Sequence, residues 1–237
     1  MASSTATTVP TILLVGASRG LGLAMAAEFV KRGWRVIGTV RGTGRTGLHD
    51  LADAHGEQIS IALLDVTAPD QIAALRDRLV GTGLDMLFVN AGTVDGNQAE
   101  TISGVSTDEF VRVMLTNVLG AMRAVEGLEN LVRADGLIGV MSSGQGSIAN
   151  NTRGGHEVYR GSKAALNQCM RSYAARHGEQ GRAMVLMAPG WIRTELGGPE
   201  APFGVEEAIP QVVDTLLAQQ GKPGLRYLDR FGSPVPW

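Results

Sequence analysis

Residues 16–22 read Gly-Ala-Ser-Arg-Gly-Leu-Gly, and this glycine-rich turn decides the fold of the chain. It follows an apolar run, Thr11 to Val15, and opens a segment of helical period, Leu21 to Arg32. Glycines let the backbone approach a pyrophosphate, and the first turn of a helix offers unpaired N–H groups and the positive end of its dipole. A turn in this context predicts a dinucleotide-binding site.

The rest of the chain repeats the same alternation of apolar runs and helical segments, which is typical of βαβ units around a parallel sheet. The predicted strands are Thr11–Val15, Trp34–Val40, Ile59–Leu64, Met86–Asn90, Leu137–Ser142, Ala183–Ala188 and Leu225–Leu228. The predicted helices are Leu21–Arg32, Leu48–His55, Asp70–Val80, Thr107–Arg133, Glu157–His177 and Val205–Gln219. We expect an α/β single-domain Rossmann fold, with a doubly wound, seven-stranded parallel sheet and helices on both faces.

Composition narrows the class of protein. The 237 residues are 44% hydrophobic, enough for one sizeable core, so we expect residues 9–237 to form a single domain after a disordered tail, residues 1–8. A net charge of -2 gives no general attraction to nucleic acid or anionic lipid. No apolar stretch approaches the roughly 18 residues of a membrane span, so we expect a cytoplasmic protein. The four histidines lack the spacing of metal ligands, and no metal site is expected.

Residues at the ends of the next strands select the cofactor. An acidic residue after the second strand would bind the ribose of NAD, but this chain has Arg41 there. A planar, permanently charged guanidinium suits the 2'-phosphate of NADP, so NADP(H) is favoured over NAD(H). Arg19 and, more weakly, Arg45 are further candidates for that phosphate.

The third and fourth strands end in residues suited to the adenosine half of the cofactor. Asp65-Val66 closes the third strand, where a carboxylate can accept a hydrogen bond from the adenine amino group. Asn90-Ala91-Gly92 closes the fourth, where small residues leave room for adenosine. Asn90 is equally suited to a structural role tying neighbouring loops together.

The most informative spacing is that of Tyr159 and Lys163. Four residues apart on a helix, a phenol and an ammonium lie on one face. A nearby ammonium stabilises phenolate, so we expect Lys163 to lower the pKa of Tyr159 from its ordinary value near 10. The phenol can then exchange a proton with a carbonyl oxygen while Ser143 hydrogen-bonds the same oxygen.

Together these residues resemble the short-chain dehydrogenase/reductase family, in its single-domain form with a Gly-x-x-x-Gly-x-Gly turn. The resemblance implies a catalytic tetrad of Asn117, Ser143, Tyr159 and Lys163, with Ser143 chosen over Ser142 because it stands three residues before Gly146. The segment Pro189 to Thr194 would enclose the nicotinamide amide and pyrophosphate. Residues that this resemblance assigns to the cofactor are Gly16, Ser18, Arg19, Gly20, Leu21, Gly22, Arg41, Asp65, Val66, Asn90, Ala91, Gly92, Tyr159, Lys163, Pro189, Gly190, Ile192 and Thr194.

The stretch from Pro189 to Pro199 and the ending from Gly232 to Trp237 are similar to the C-factor and sniffer-like carbonyl reductase branch. The resemblance implies an NADP(H)-dependent oxidoreductase that reduces a carbonyl of a small molecule, or runs the reverse reaction. The alternative is a cofactor-binding signalling or regulatory protein of the C-factor type. The long predicted helices resemble those that form the family's dimers. The resemblance is therefore compatible with a homodimer or homotetramer. The residues expected at the substrate mouth, Gln145, Ser147, Ile148, Asn150, His156, Trp191 and Phe203, do not name a substrate.

Overall fold

A computed structural model describes residues 9–178 and 182–237, and the predicted tail, residues 1–8, lies outside them. Seven strands form one sheet in the order β3-β2-β1-β4-β5-β6-β7. The strands are β1 (Thr11–Val15), β2 (Arg35–Val40), β3 (Ile59–Leu63), β4 (Leu84–Val89), β5 (Val132–Met141), β6 (Ala183–Ala188) and β7 (Gly224–Asp229). Every neighbouring pair is parallel, which confirms the predicted doubly wound α/β fold.

Helices connect the strands. The α-helices are α1 (Gly20–Lys31), α2 (Gly47–His55), α3 (Pro69–Arg78), α4 (Thr107–Met114), α5 (Ala121–Leu128), α6 (Glu157–His177) and α7 (Val205–Gln219). Alternate residues of β1 point to opposite faces of the sheet: Leu13 and Val15 enter one apolar core cluster, and Ile12 and Leu14 enter the other. All four are fully buried, as expected for a strand covered on both faces. Across the two described ranges, every helix is too short or too polar to cross a membrane.

One predicted helix differs in detail. The helix expected over Thr107–Arg133 is helical up to Leu131, but it contains a π-helical segment, Leu115–Gly120, and β5 begins at Val132. At Gly120 this segment passes so close to the loop after β3 that a Cβ there would lie 2.9 Å from the side chain of Val66. β5 itself starts early because a register shift between Leu84 and Met86 accommodates extra, exposed residues after Val132.

The strand order creates the crevice where a ligand is expected. β1 lies between β2 and β4, so the connections from its two neighbours leave in opposite directions at its carboxyl end. In open α/β sheets this switch point is where ligands bind. The glycine turn after β1 and the residues after β4, β5 and β6 all meet at that edge.

Candidate active site

The turn after β1 forms a cradle that only glycine can build. Gly16 has φ +86, and a Cβ there would lie 2.8 Å from the backbone of Ala91. A Cβ on Gly22 would lie 2.1 Å from the carbonyl oxygen of Gly16. The Asn90 amide donates to that same oxygen over 2.7 Å, so Asn90 has the loop-tying role. Helix α1 begins at Gly20, which leaves its N-terminus facing the crevice.

The remaining residues of the turn line the opening of the crevice. Gly20 has φ +56, and a Cβ there would lie 3.9 Å from the side chain of Thr194. Ser18 and Leu21 are partly buried beside it, while Arg19 is exposed. The turn after β1 and the segment after β6 therefore face each other across the crevice. This arrangement fits a pyrophosphate between them, because the backbone approaches closely where side chains are absent.

The three candidate arginines differ in their partners. Arg45 forms ion pairs with Asp50 over 2.7 Å and with Asp53 over 2.5 Å. Arg19 pairs over 2.8 Å with Glu195. Arg41 is exposed and has no ion pair within residues 9–178 and 182–237. It also borders a surface cavity of about 530 Å³. Of the three, Arg41 is the one whose charge is available to a phosphate.

Asp65 and Val66 lie where the sequence predicted them, directly after β3. One carboxylate oxygen of Asp65 accepts hydrogen bonds from the backbone N–H and the hydroxyl of Thr67, at 2.8 and 2.7 Å. The other oxygen has no such partner in the described part of the chain, which leaves it for a ligand. Val66 is buried against the π-helical segment.

Tyr159 and Lys163 share one face of α6, as their spacing predicted. The Lys163 Nζ lies 5.7 Å from the centre of the Tyr159 ring and donates to the carbonyl oxygen of Met141 over 2.9 Å. Burial lowers the pKa of the Lys163 ammonium to about 8. Burial raises the pKa of Tyr159 to about 12, and the neighbouring Ser143 hydroxyl opposes that rise.

The expectation that Lys163 acidifies Tyr159 is therefore wrong for the protein chain alone. Lys163 is buried and Tyr159 is partly buried, and desolvation disfavours ammonium and phenolate alike. The ammonium is directed to a backbone carbonyl rather than to the phenol oxygen. The phenol is consequently protonated at neutral pH, which makes it a proton donor.

Asn117 lies in the π-helical segment and is fully buried. Its side-chain oxygen accepts from the Thr93 N–H over 2.8 Å, and its amide donates to the Thr93 carbonyl over 2.8 Å. The amide also donates to the Ser162 hydroxyl over 2.9 Å. A Cβ on Gly92 would lie 3.4 Å from the Asn117 oxygen and 3.5 Å from the Lys163 Nζ. Asn117 thus joins the loop after β4 to α6 beside the lysine.

Ser143 follows β5 and starts a short turn, Gly144–Gly146. Its hydroxyl accepts from the Gln145 N–H over 3.1 Å. Ser142, the alternative serine, is buried and donates to Asn167 over 2.6 Å. Because Ser142 is committed to a structural bond and Ser143 adjoins the Tyr159 phenol, the geometry favours Ser143.

The segment after β6 is folded onto itself. Ile192 is buried and bridges to Phe203, and the Thr194 hydroxyl accepts from the Gly197 N–H over 3.0 Å. Gly190 has φ +97, and a Cβ there would lie 2.4 Å from the guanidinium of Arg230.

Sequence reasoning missed Arg230. Its guanidinium is buried, donates to the carbonyl of Pro189 over 3.1 Å and lies 3.9 Å from the ring centre of Phe203. It holds the segment after β6 by backbone and aromatic contacts. No sequence signal identified it, because its partners are a backbone carbonyl, the side-chain oxygen of Gln211 and aromatic rings rather than a carboxylate at a recognisable spacing.

Comparisons with known proteins agree with this geometry. A family model described as enoyl-(acyl carrier protein) reductase matches residues 16–214. The chain therefore belongs to the short-chain dehydrogenase/reductase family of oxidoreductases.

Two solved structures and one further relative are similar to this chain. A short-chain dehydrogenase/reductase from Burkholderia multivorans with bound NADP is 61% identical, with a TM-score of 0.96 over 97% of this chain and 100% of that one. A carbonyl reductase from Pseudomonas aeruginosa in complex with NADP is 33% identical, with a TM-score of 0.89 over 97% and 100%. The C-signal of Myxococcus xanthus is 32% identical over 65% of this chain and 93% of the relative.

Proposed function

We propose that this protein is an NADP(H)-dependent oxidoreductase that reduces a carbonyl of a small molecule to an alcohol, or catalyses the reverse reaction. The observation that carries the proposal is the partly buried Tyr159 and the buried Lys163 beside Ser143, at the edge of the sheet where the glycine cradle opens. Binding a nucleotide alone requires no phenol of this kind.

The cofactor assignment is supported by the fit of the crevice to a dinucleotide and by Arg41. The turn after β1 admits no side chain at Gly16 or Gly22, as a pyrophosphate-binding turn requires. Arg41 offers an exposed charge after β2 without a carboxylate partner among the described residues. The relatives from Burkholderia multivorans and Pseudomonas aeruginosa were both solved with NADP.

Each tetrad residue then has a physical role. NADPH, when bound, supplies the hydride that reaches the carbonyl carbon. Tyr159 gives its proton to the carbonyl oxygen as negative charge develops there, and solvent returns a proton to the phenolate. Ser143 donates a hydrogen bond to the same oxygen. Lys163, with a pKa of about 8, is mostly charged at neutral pH and holds the cofactor ribose, while Asn117 fixes the loop that faces it.

The spacing within the pair favours a carbonyl substrate over an enoyl one. Three residues separate Tyr159 from Lys163. The resemblance to the family implies a wider spacing in its enoyl reductase-like members. The short segment between Thr194 and Val205 is a modest cover, which suits compact carbonyl compounds.

The experiment measures NADPH oxidation over a panel of aldehydes and ketones, for the wild type, Tyr159→Phe and Tyr173→Phe. Tyr173 is the matched control, a buried tyrosine on the same helix whose hydroxyl donates to Glu129. We expect Tyr159→Phe to lower kcat by at least about 100-fold while NADPH affinity stays within a few-fold. Equal turnover by wild type and Tyr159→Phe would overturn the proposal.

Similarity to the protein named C-signal favours a second candidate, a cofactor-binding signalling or regulatory protein. The same variants separate the two candidates. A cellular role that survives in Tyr159→Phe but is lost when NADPH binding is lost supports signalling. A role that disappears with turnover supports the enzyme.

A further inference from the structure

A buried phenol, Tyr227, contacts the backbone of Ser143 in the proposed catalytic group. Tyr227 is on β7, the edge strand of the sheet, and is 3% exposed. Its hydroxyl donates to the carbonyl oxygen of Ser143, which also accepts from the Gly146 N–H over 2.9 Å. Burial raises the pKa of Tyr227, so this hydroxyl keeps its proton. The carbonyl oxygen of Ser143 is therefore hydrogen-bonded both by β7 and by its own turn.

The chain after β7 returns to hold Tyr227 in place. We name residues 233–237 the return segment. Its Val235 N–H donates to the Tyr227 carbonyl over 2.9 Å, and the Trp237 ring packs on the Tyr227 ring with centres 5.5 Å apart. The guanidinium of Arg171 from α6 also lies 4.7 Å from the centre of the Trp237 ring.

The return segment also contacts the loop that carries Ser143. The Ala149 N–H donates to the carbonyl oxygen of Trp237 over 3.0 Å. The loop that begins with Ser143 is thus held at its start by the Tyr227 hydroxyl and six residues later by Trp237. Trp237, which is 39% exposed, and Tyr227 on the edge strand contact each other, and both contact this loop.

A third contact fixes the loop to the helix of Tyr159 and Lys163. Asn167 lies one turn after Lys163 and is 3% exposed. Its oxygen accepts from the Ser142 hydroxyl over 2.6 Å, and its amide donates to the Gly146 carbonyl over 3.3 Å. With α6 fixed on one side, the contacts of Tyr227 and Trp237 set where Ser143 stands relative to Tyr159.

We propose that Tyr227 and Trp237 are positioning residues that hold the Ser143 hydroxyl toward the Tyr159 phenol. This inference rests on the proposed function, in which both hydroxyls bind one substrate oxygen. Neither Tyr227 nor Trp237 acts on the substrate itself. A displacement of about 1 Å in a catalytic hydrogen bond lowers turnover by up to about 100-fold, so the support has a measurable effect on rate.

The first test is a double-mutant cycle. Tyr227→Phe removes only the phenol oxygen, and we expect it to lower kcat for carbonyl reduction about 10- to 100-fold with NADPH affinity within about twofold. In a Ser143→Ala background the same substitution is expected to have almost no further effect, because its route to the substrate is already lost. Fully additive losses would overturn the proposal. Tyr173→Phe, the control for removal of a buried hydroxyl, leaves kcat unchanged.

The second test needs no turnover. Amide hydrogen exchange of the cofactor-free protein is followed in peptides covering residues 142–150, for wild type, Trp237→Ala and Trp237→Phe. We expect Trp237→Ala to speed exchange at least about 10-fold at Gly146 and Ala149, and Trp237→Phe to restore much of the protection. Unchanged exchange in Trp237→Ala would overturn the inference, even if Tyr227→Phe does not fold. If no carbonyl is reduced by wild type, the proposed function fails while this result still tests the support.

Discussion

Replacing Arg41 tests how the protein selects its cofactor. In the structure this guanidinium is exposed after β2 and, within residues 9–178 and 182–237, has no carboxylate partner. A charged hydrogen bond of this kind stabilises a complex by about 1.5 to 3 kcal/mol. At about 1.4 kcal/mol per factor of ten, Arg41→Ala is expected to weaken NADPH binding about 10- to 100-fold. NADH, which lacks the 2'-phosphate, is expected to bind both proteins equally.

The assay is a titration of each cofactor by intrinsic fluorescence at fixed ionic strength, since salt screens an exposed charge. Arg45→Ala is the matched control, because Arg45 is also exposed but already paired with Asp50 and Asp53. It is expected to change NADPH affinity by less than about twofold. Equal affinities of the wild type for NADPH and NADH would refute the reasoning, as would a larger loss in Arg45→Ala than in Arg41→Ala.

Four further predictions test the site and the fold. Because burial lowers the pKa of Lys163 to about 8, kcat/KM for NADPH, which reports the cofactor-free enzyme, is expected to fall as pH rises through about 8; a profile flat to pH 10 would contradict it. Gly22→Ala places a Cβ 2.1 Å from a carbonyl oxygen and is expected to lower the free energy of unfolding by about 1 to 3 kcal/mol in urea titrations. Gly161→Ala, with open space at its Cβ in α6, is expected to raise it by about 0.5 to 1 kcal/mol. Arg112 and the Gly96 N–H hold the pKa of Glu109 at about 2, below its usual 4.5, so this carboxylate stabilises the fold above pH 4.5 and loses that effect as pH falls towards 2. Glu109→Gln is therefore expected to lower stability by up to about 1 kcal/mol at pH 7 and by less at pH 3, and an equal loss at both pH values would be inconsistent with it.

The order of apolar runs along the sequence predicts most of the fold. Apart from β5, the predicted strands agree with the observed ones within two residues at each end, because each is a short apolar run. The helix predicted over Thr107–Arg133 was found up to Leu131, but periodicity did not indicate its π-helical segment. Within that segment Gly120 passes close to Val66, a tertiary contact that periodicity does not encode.

The candidate site likewise has features that the sequence predicted and features that it did not. Tyr159, Lys163 and Ser143 were predictable because local spacing and position after a strand place them together. The pairing of Arg19 with Glu195 was not, because the two residues are far apart in the chain and meet only when the segment after β6 closes on the glycine turn. The pKa of Tyr159 was also mispredicted. Spacing indicates a neighbouring charge but not how much water the fold removes from both groups.

The account depends on the location of the Tyr159 phenol and the Lys163 ammonium relative to the reacting atoms. The most direct measurement is a crystal structure of the protein with NADP and an alcohol or a carbonyl inhibitor. The account predicts the phenol oxygen within about 3 Å of the ligand oxygen and the ammonium bound to the nicotinamide ribose. Electron density in which both side chains face away from the nicotinamide ring would contradict it.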